Sequence, residues 1–316
     1  ADAIAASRTL CVLQPVILIT SSNTLHFFKF LLNLSTQNNM TMIPFTNIDA
    51  LIIDMDGVLW HGDRAIAGLS DFFKMLRKKS LAFVLATNNA SHTPDQYIKK
   101  LASMGINVTA DEILTSGMAT ASYLSEQYPP SETRIFVLGE AGATQPLKDK
   151  GFTLTDIYQL STPENPNLGA NIVVCGKDET ITWDKLSTAT LNLQAGAKFI
   201  ATNGDTSLPT ERGLIQGNGA ILAALHAATG RTATVIGKPE PIMYQQALAI
   251  LGSSPETTIA IGDRLDTDIL GAVRTNMRSL MVLTGASKRE DIDLIDYAPT
   301  WIMDDLIAVT EALENL

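Results

Sequence analysis

The 316 residues, 46% of them hydrophobic, suffice to bury a substantial core and exceed the commonest single-domain size, so two domains are expected. A formal net charge of −10, from 33 acidic against 23 basic side chains, argues against a surface built to neutralise a phosphate backbone, which needs clustered Lys and Arg; nucleic acid is not an expected macromolecular partner. Two cysteines, Cys11 and Cys175, give neither a disulfide framework nor a thiolate metal site and suit a reducing, cytoplasmic setting.

Residues 1–45 are read as an extension outside the core. Their apolar runs, 11–20 and 25–34, are each too short to span a bilayer, and Lys29 interrupts the second, so no stable membrane association is expected. Met40 or Met42 would be a natural start just ahead of the first strong strand; a degenerate organelle-targeting segment is the other reading of this stretch.

From Ile48 onward short apolar runs alternate with amphipathic helical stretches, the pattern of an α/β fold with a parallel sheet covered by helices. The runs are 50–53, 81–86, 135–138, 172–174, 199–201, 234–236, 258–261 and 280–283. The first ends in Asp54-Met-Asp56-Gly57. Strand geometry puts both carboxylates on one side of the backbone, glycine permits a sharp turn after them, and the carboxyl end of a parallel strand is where ligands sit. Two clustered carboxylates repel, and Mg²⁺, a hard cation that takes oxygen ligands, fits the need to neutralise them. A solvated turn after a strand is the bland reading of this run taken alone.

The second run ends in Thr87-Asn88-Asn89. Thr93-Pro94-Asp95-Gln96 then reads as a capping box with proline at the first helical position, Ile98, Leu101 and Met104 share one face, and Gly105 closes the helix. Gly139-Glu-Ala-Gly142 lacks the full dinucleotide fingerprint and reads as a strand-to-helix turn. Residues 161–169, rich in Pro and Asn, read as a loop, and a helix runs from Trp183 to Leu193. The run at 234 ends in Gly237-Lys238-Pro239, with a helix opening at Pro241 and closing at Gly252. The run at 258 ends in Gly262-Asp263-Arg264-Leu265-Asp266-Thr267-Asp268. Together these strand ends supply a nucleophile, hydroxyl and amide donors, a fixed cation and metal ligands, which is what phosphoryl transfer needs. His61 and Trp60, just past the first motif, read as flap residues; His26, His92 and His226 read as surface or satisfied groups.

The ordered set Asp54-x-Asp56-Gly57-Val58, Thr87-Asn88, Lys238-Pro239 and Gly262-Asp263-x-x-x-Thr267-Asp268 resembles the haloacid dehalogenase superfamily. Asn88-Asn89, Gly237-Lys238-Pro239-Glu240-Pro241 and the run from Gly262 to Ile269 are similar to its NagD-like branch, which includes 4-nitrophenylphosphatases, phosphoglycolate phosphatases and pyridoxal-phosphate phosphatases. The resemblance covers about Ile48 to the C-terminus. It implies a Rossmann-like three-layer core, 46–128 and 234–316, with an α/β cap inserted at 129–233 that closes over the site and through which a homo-oligomer could form. It implies Asp54 as nucleophile and metal ligand, ionised in an exposed setting with a pKa of about 3.9. Asp56 is implied as acid and then base, its carbonyl on Mg²⁺; Gly57, Thr87, Asn88 and Asn89 lie around the phosphoryl group, and Lys238 balances its charge. Asp263 is implied as a metal ligand, and Asp268 as acting through water or by orienting the lysine; Asp266 carries an extra, solvated charge. Residues 203–219, with Asp205, Glu211 and Arg212, resemble the branch's substrate-specificity loop. The implied activity is Mg²⁺-dependent hydrolysis of a small phosphorylated metabolite, such as a phosphoglycolate-like acid, a sugar phosphate, a nucleotide or an aryl phosphate. Phosphotransfer to another acceptor, or a phospho-acceptor module without turnover, are the rival readings.

Overall fold

The computed structural model describes residues 45–210 and 212–315; the expected leader, with Cys11, His26, Met40 and Met42, and also Glu211 lie outside the described residues. The chain lays down β1 (Ala50–Ile53), a hairpin of β2 (Trp60–His61) and β3 (Arg64–Ala65), α1 (Leu69–Lys79), β4 (Ala82–Thr87), α2 (Pro94–Ser103), β5 (Ile113–Thr115) and α3 (Ser116–Gln127). A second run follows: β6 (Arg134–Leu138), α4 (Ala141–Asp149), β7 (Thr153–Leu154), β8 (Ile172–Cys175), α5 (Trp183–Gln194), β9 (Lys198–Ala201), a hairpin of β10 (Ser207–Thr210) and β11 (Gly213–Gln216), α6 (Asn218–Thr229) and β12 (Thr234–Val235). Then come α7 (Pro241–Leu251), β13 (Thr258–Gly262), a π-helical turn (Leu265–Ile269), α8 (Leu270–Arg274), β14 (Arg278–Val282), β15 (Trp301–Met303) and α9 (Leu306–Glu314).

Two main sheets result, one of six strands in the order β15-β14-β13-β1-β4-β5 and one of five in the order β12-β9-β8-β6-β7. In the first, β1 lies between two parallel neighbours, with Ile53 opposite Ile261 on one side and Leu85 on the other. The chain steps outward from β1 through β4 to β5, then returns on the other side of β1 from β13 to β15. That reversal opens a crevice beyond the carboxyl ends of β1 and β13, the place where open α/β sheets bind ligands.

The alternation along β1 explains the layers. Leu51 and Ile53 pack with Phe72, Leu76 and Leu313 from α1 and α9, whereas Ile52 packs with Met243, Tyr244 and Ala247 from α7. A strand apolar at every position is therefore covered on both faces, as parallel sheets require. The second sheet turns Ile135, Ile172 and Val174 into the same core as Ile52 and buries Val173, Cys175 and Phe199 under α5 and α6 on its other face.

All eight apolar runs are strands, most with ends shifted by one or two residues; β4 and β13 run on to Thr87 and Gly262. Within the two main sheets the apolar pattern misses β5, β7 and β15, which have two or three residues each, too few to register a period; it also misses the two hairpins, β2–β3 and β10–β11. Residues 203–219, read as a loop, instead hold the β10–β11 hairpin. The run at 234 does not join the first sheet: β12 pairs with β9, so Lys238 arrives from the second sheet, just past the boundary expected between the two.

The capping box at Thr93 is formed, with Thr93 N–H donating to Gln96 Oε1 at 2.8 Å, and Gly252 ends α7 in the left-handed conformation. Among the described residues no helix is long and apolar enough to cross a membrane. The turn at Gly139–Gly142 does join a strand to a helix, and it also makes a close backbone approach. A Cβ on Gly142 would sit 2.3 Å from His92 O and 2.6 Å from Ala90 O, and one on Gly117 would sit 2.1 Å from Gly142 O. The start of α4 is thus set directly on the loop after β4. Gly142→Ala should lower unfolding free energy by about 1–3 kcal/mol through forced displacement of backbone; urea denaturation checks this, and a midpoint at the parent value would show the contact to be slack.

Candidate active site

β1 ends at Ile53, and Asp54 N–H still donates to Ile261 O of β13 at 2.8 Å, which holds the Asp54 side chain at the mouth of the crevice. Gly57 makes the sharp turn after it, with φ at 86°. Asp263 follows β13, and a π-helical turn, a feature that often marks functional sites, brings Asp268 back against the strand end; a Cβ on Gly262 would lie 2.2 Å from Asp268 Cβ. Lys238 reaches in from the crossing between β12 and α7.

The Lys238 ammonium is 4% exposed and spends its three hydrogens on Asp54 Oδ1 at 2.5 Å, Asp268 Oδ1 at 2.7 Å and Ala86 O at 3.0 Å. Asp268 Oδ2 accepts from Arg264 N–H, and Tyr244 O–H donates to Asp268 O at 2.9 Å. Burial pushes the Lys238 pKa down, but Asp268 and Asp54 beside it hold it well above the ordinary lysine value. Asp54 shows the converse balance. Its side chain is 12% exposed, and burial, opposed by Lys238 but aided by Asp268 and Asp263, raises its pKa well above the carboxylate range. The expectation of an exposed Asp54 is thereby corrected: its carboxylate is mostly buried, with burial, Asp268 and Asp263 working against its ionised form and Lys238 working for it.

Asp263 explains what is missing from that balance. Its Oδ2 accepts from Ala286 N–H at 2.6 Å, and Gly57 and Gly285 cradle it so closely that a Cβ on either would lie 2.5 Å or 1.9 Å from Oδ2. Its Oδ1 is buried without a hydrogen-bond partner. Asp54, Asp263 and Asp268 each offer an oxygen within 4.8 Å of the others. An all-oxygen, anionic donor set with an orphaned carboxylate oxygen fits a hard divalent cation. Asp266 stays out of this cluster: its carboxylate, 68% exposed, is held by Arg264.

The remaining predicted residues divide. Thr87 is buried, and its Oγ1 accepts from Asn89 N–H at 3.0 Å, which leaves the hydroxyl hydrogen to donate. Asn88, expected at the phosphoryl group, has its side chain engaged elsewhere: Oδ1 accepts from Lys238 N–H and Nδ2 donates to Lys238 O, both at 2.8 Å. It also reaches Asp205 at 3.3 Å. Asn89 forms a turn with Ser91 N–H. Arg212 is exposed at the turn of the β10–β11 hairpin. Asp56, by contrast, is tied to Trp60, whose indole N–H donates to its Oδ1 at 2.7 Å. Trp60 is fully buried, not the flap residue expected. Tyr244 and Ala286 are not assigned to the site from sequence, and Asn203 and Asp205 enter there only as part of the specificity loop; the signal for a closer role is Thr202-Asn-Gly-Asp205, a fifth polar run at the end of an apolar strand.

Comparison with known proteins follows the same lines. The family model for haloacid dehalogenase-like hydrolases matches residues 51–153, and a HAD-hydrolase-like model matches residues 235–309. An acid sugar phosphatase of Staphylococcus saprophyticus is 37% identical over 269 residues, covering 85% of this chain and 99% of that one. The structure of a 4-nitrophenylphosphatase from Thermotoga maritima superposes with a TM-score of 0.77 at 31% identity, covering 84% and 98% of the two chains. NagD from E. coli K-12 does so with 0.73 at 32%, covering 83% and 98%.

One consequence concerns pH. Burial first, and Asp268 second, push the Asp263 pKa up to about 7. A carboxyl whose folded pKa is raised contributes stability below its unfolded value and loses it as pH rises through the folded one. In chelator, the thermal midpoint should therefore fall between about pH 4 and pH 7 and level off by about pH 8, and Asp263→Asn should flatten that fall. A parent midpoint constant across this window would contradict the electrostatic account of the cluster.

Proposed function

The chain belongs to the haloacid dehalogenase-like hydrolase family, and from that premise we propose that it hydrolyses phosphomonoesters of small alcohols, sugar and aryl phosphates among them, through a phosphoryl group carried on Asp54. The observation that carries this reading is the buried Lys238 ammonium 2.5 Å from Asp54 Oδ1 with Asp268 holding it from behind. A surface carboxylate needs no such partner; one that must face a phosphate dianion does. The names of the relatives, an acid sugar phosphatase and a 4-nitrophenylphosphatase, support the substrate class.

Asp54 attacks phosphorus in line, the bond to the leaving oxygen breaks, and Asp56 gives that oxygen its proton; Asp56 then takes a proton from water as the water displaces Asp54. Lys238 neutralises Asp54 and the incoming phosphoryl oxygens, and Thr87 donates to one of them. Asn88 keeps Lys238 in place by pairing with its main chain. The groups that would hold Mg²⁺ are the carboxylates of Asp54 and Asp263 and the main-chain carbonyl of Asp56, with Asp268 behind them; when bound, the ion supplies positive charge to offset the phosphate dianion among these carboxylates. The segment 129–233 serves as the cap, and residues 203–219 within it meet the leaving group, because the strand-end residues contact only the phosphoryl group that all candidate substrates share.

Asp54→Asn should reduce turnover by more than about 1,000-fold, and acid quenching should then trap no protein-bound phosphate, since an amide is not a competent nucleophile. Activity within tenfold of the parent would remove Asp54 from this role. Asp56→Asn should slow an alkyl phosphate by roughly 100- to 10,000-fold but an activated aryl phosphate at least about tenfold less, because protonation matters most for a poor leaving group. Equal losses on both substrates, read as kcat, would contradict the acid role.

A further inference from the structure

Asp56 has a single protein hydrogen bond on its carboxylate among the described residues, that of Trp60 Nε1–H to Oδ1 at 2.7 Å. The two residues are tied through the main chain as well, by an isolated bridge and by Gly57 N–H donating to Trp60 O at 2.8 Å. Trp60 is itself held from α2. Its ring stacks on Tyr97, with centroids 6.4 Å apart and planes at 19°, and the Lys100 ammonium stands 4.5 Å from the indole centroid. Tyr97 in turn donates to Asn89 O at 3.2 Å, in the loop after β4. A buried indole needs some acceptor for its N–H, but here the acceptor is an otherwise exposed carboxylate that water could have served.

We propose that Trp60 is the positioning residue for Asp56 and that Lys100, acting through the indole ring, strengthens its hold; this rests on the reading of Asp56 as the acid and base. An indole N–H is a donor at every accessible pH. Oδ1 therefore remains an acceptor in both protonation states, and the transferable proton is confined to Oδ2, which has no protein partner among the described residues. In the first step the Oδ2 proton passes to the leaving oxygen as its bond to phosphorus breaks and the bond to Asp54 forms. In the second, Oδ2 takes a proton from the attacking water as the bond between Asp54 and phosphorus breaks. A cation over the ring withdraws π density toward itself and makes the N–H at the ring edge a stronger donor. Helix α2 thus sets the rotamer of the acid without touching substrate.

The test uses the full chain with Mg²⁺, an alkyl phosphate and 4-nitrophenyl phosphate. Trp60→Phe keeps a ring in the stack and removes the donor. It should lower kcat on the alkyl ester by roughly tenfold, the worth of one hydrogen bond to a charged group, and on the aryl ester by no more than about threefold, with KM little changed. Lys100→Met, at a partly exposed position that leaves the core intact, should shift the same ratio in the same direction by a smaller factor. In an Asp56→Asn background, Trp60→Phe should have no further effect on kcat, because its action passes through that carboxylate. Equal losses on both esters, or a full additional loss in the Asp56→Asn background, would overturn the proposal and mark Trp60 as packing only; a Lys100→Met ratio at the parent value would overturn the role of the cation. Asp56→Asn alone separates the two levels. If it shows no leaving-group dependence, the acid and base reading fails and the positioning role with it; if it shows that dependence while Trp60→Phe does not, only the positioning role fails.

Discussion

Everything at the mouth of the crevice depends on one buried cation. Lys238 lies between Asp54 and Asp268 with all three ammonium hydrogens spent, and a buried ion pair of this kind is costly to leave half-made, on the order of 3–5 kcal/mol when one partner is lost. The surrounding structure reads as a set of devices that keep it made. Asn88 grips the lysine main chain by both amide ends, Tyr244 holds the carbonyl of Asp268, and Arg264 N–H fixes its second carboxylate oxygen. The cation balances only part of the negative charge, and the orphaned oxygen of Asp263 marks the remainder.

Because β12 belongs to the second sheet, the two sheets share this charge balance rather than dividing the labour between a catalytic half and a covering half. A chain of buried amides makes the link concrete. Asn203 Nδ2 donates to Asn88 O at 2.8 Å, and Asn218 Nδ2 donates to Asn203 O at 2.7 Å and to Cys175 O at 3.1 Å. All three asparagines are at most 9% exposed. Cys175, the one free cysteine among the described residues, closes the chain by donating its S–H to Asn218 Oδ1; burial pushes its thiol pKa up, so it serves as a packed donor and not as a nucleophile.

The sequence was most readable where one physical rule acts locally. Apolar runs with polar residues at their carboxyl ends located the strands, and with them Asp54, Thr87 and Asp263. Thr93 and Gln96 announced the start of α2 because a capping box is closed within four residues. What escaped was set by partners far along the chain. Asn88 reads as a donor to phosphate, yet its amide is consumed by Lys238, 150 residues away. Trp60 reads as a loop residue because it sits in a two-residue strand, and only the packing of α2 over it reveals a buried ring aimed at Asp56. Asp54 reads as an exposed carboxylate, because nothing local in β1 tells that Lys238, Asp263 and Asp268 will share its pocket.

The asparagine chain bears on how such enzymes diversify. All five strands of the second sheet lie between β5 and α7. Here the junction is not neutral ground: the main-chain oxygen of Asn88 takes its donor from residue 203 of the insertion, and the pair of bonds that aligns Lys238 starts from the same asparagine. An insertion transplanted from a relative without an amide at that register would bring its own specificity and disturb the recipient's cation together. Exchanging the β10–β11 hairpin alone would leave these bonds in place, whereas the polar run at 202–205 and the start of α6 hold the asparagines that make them.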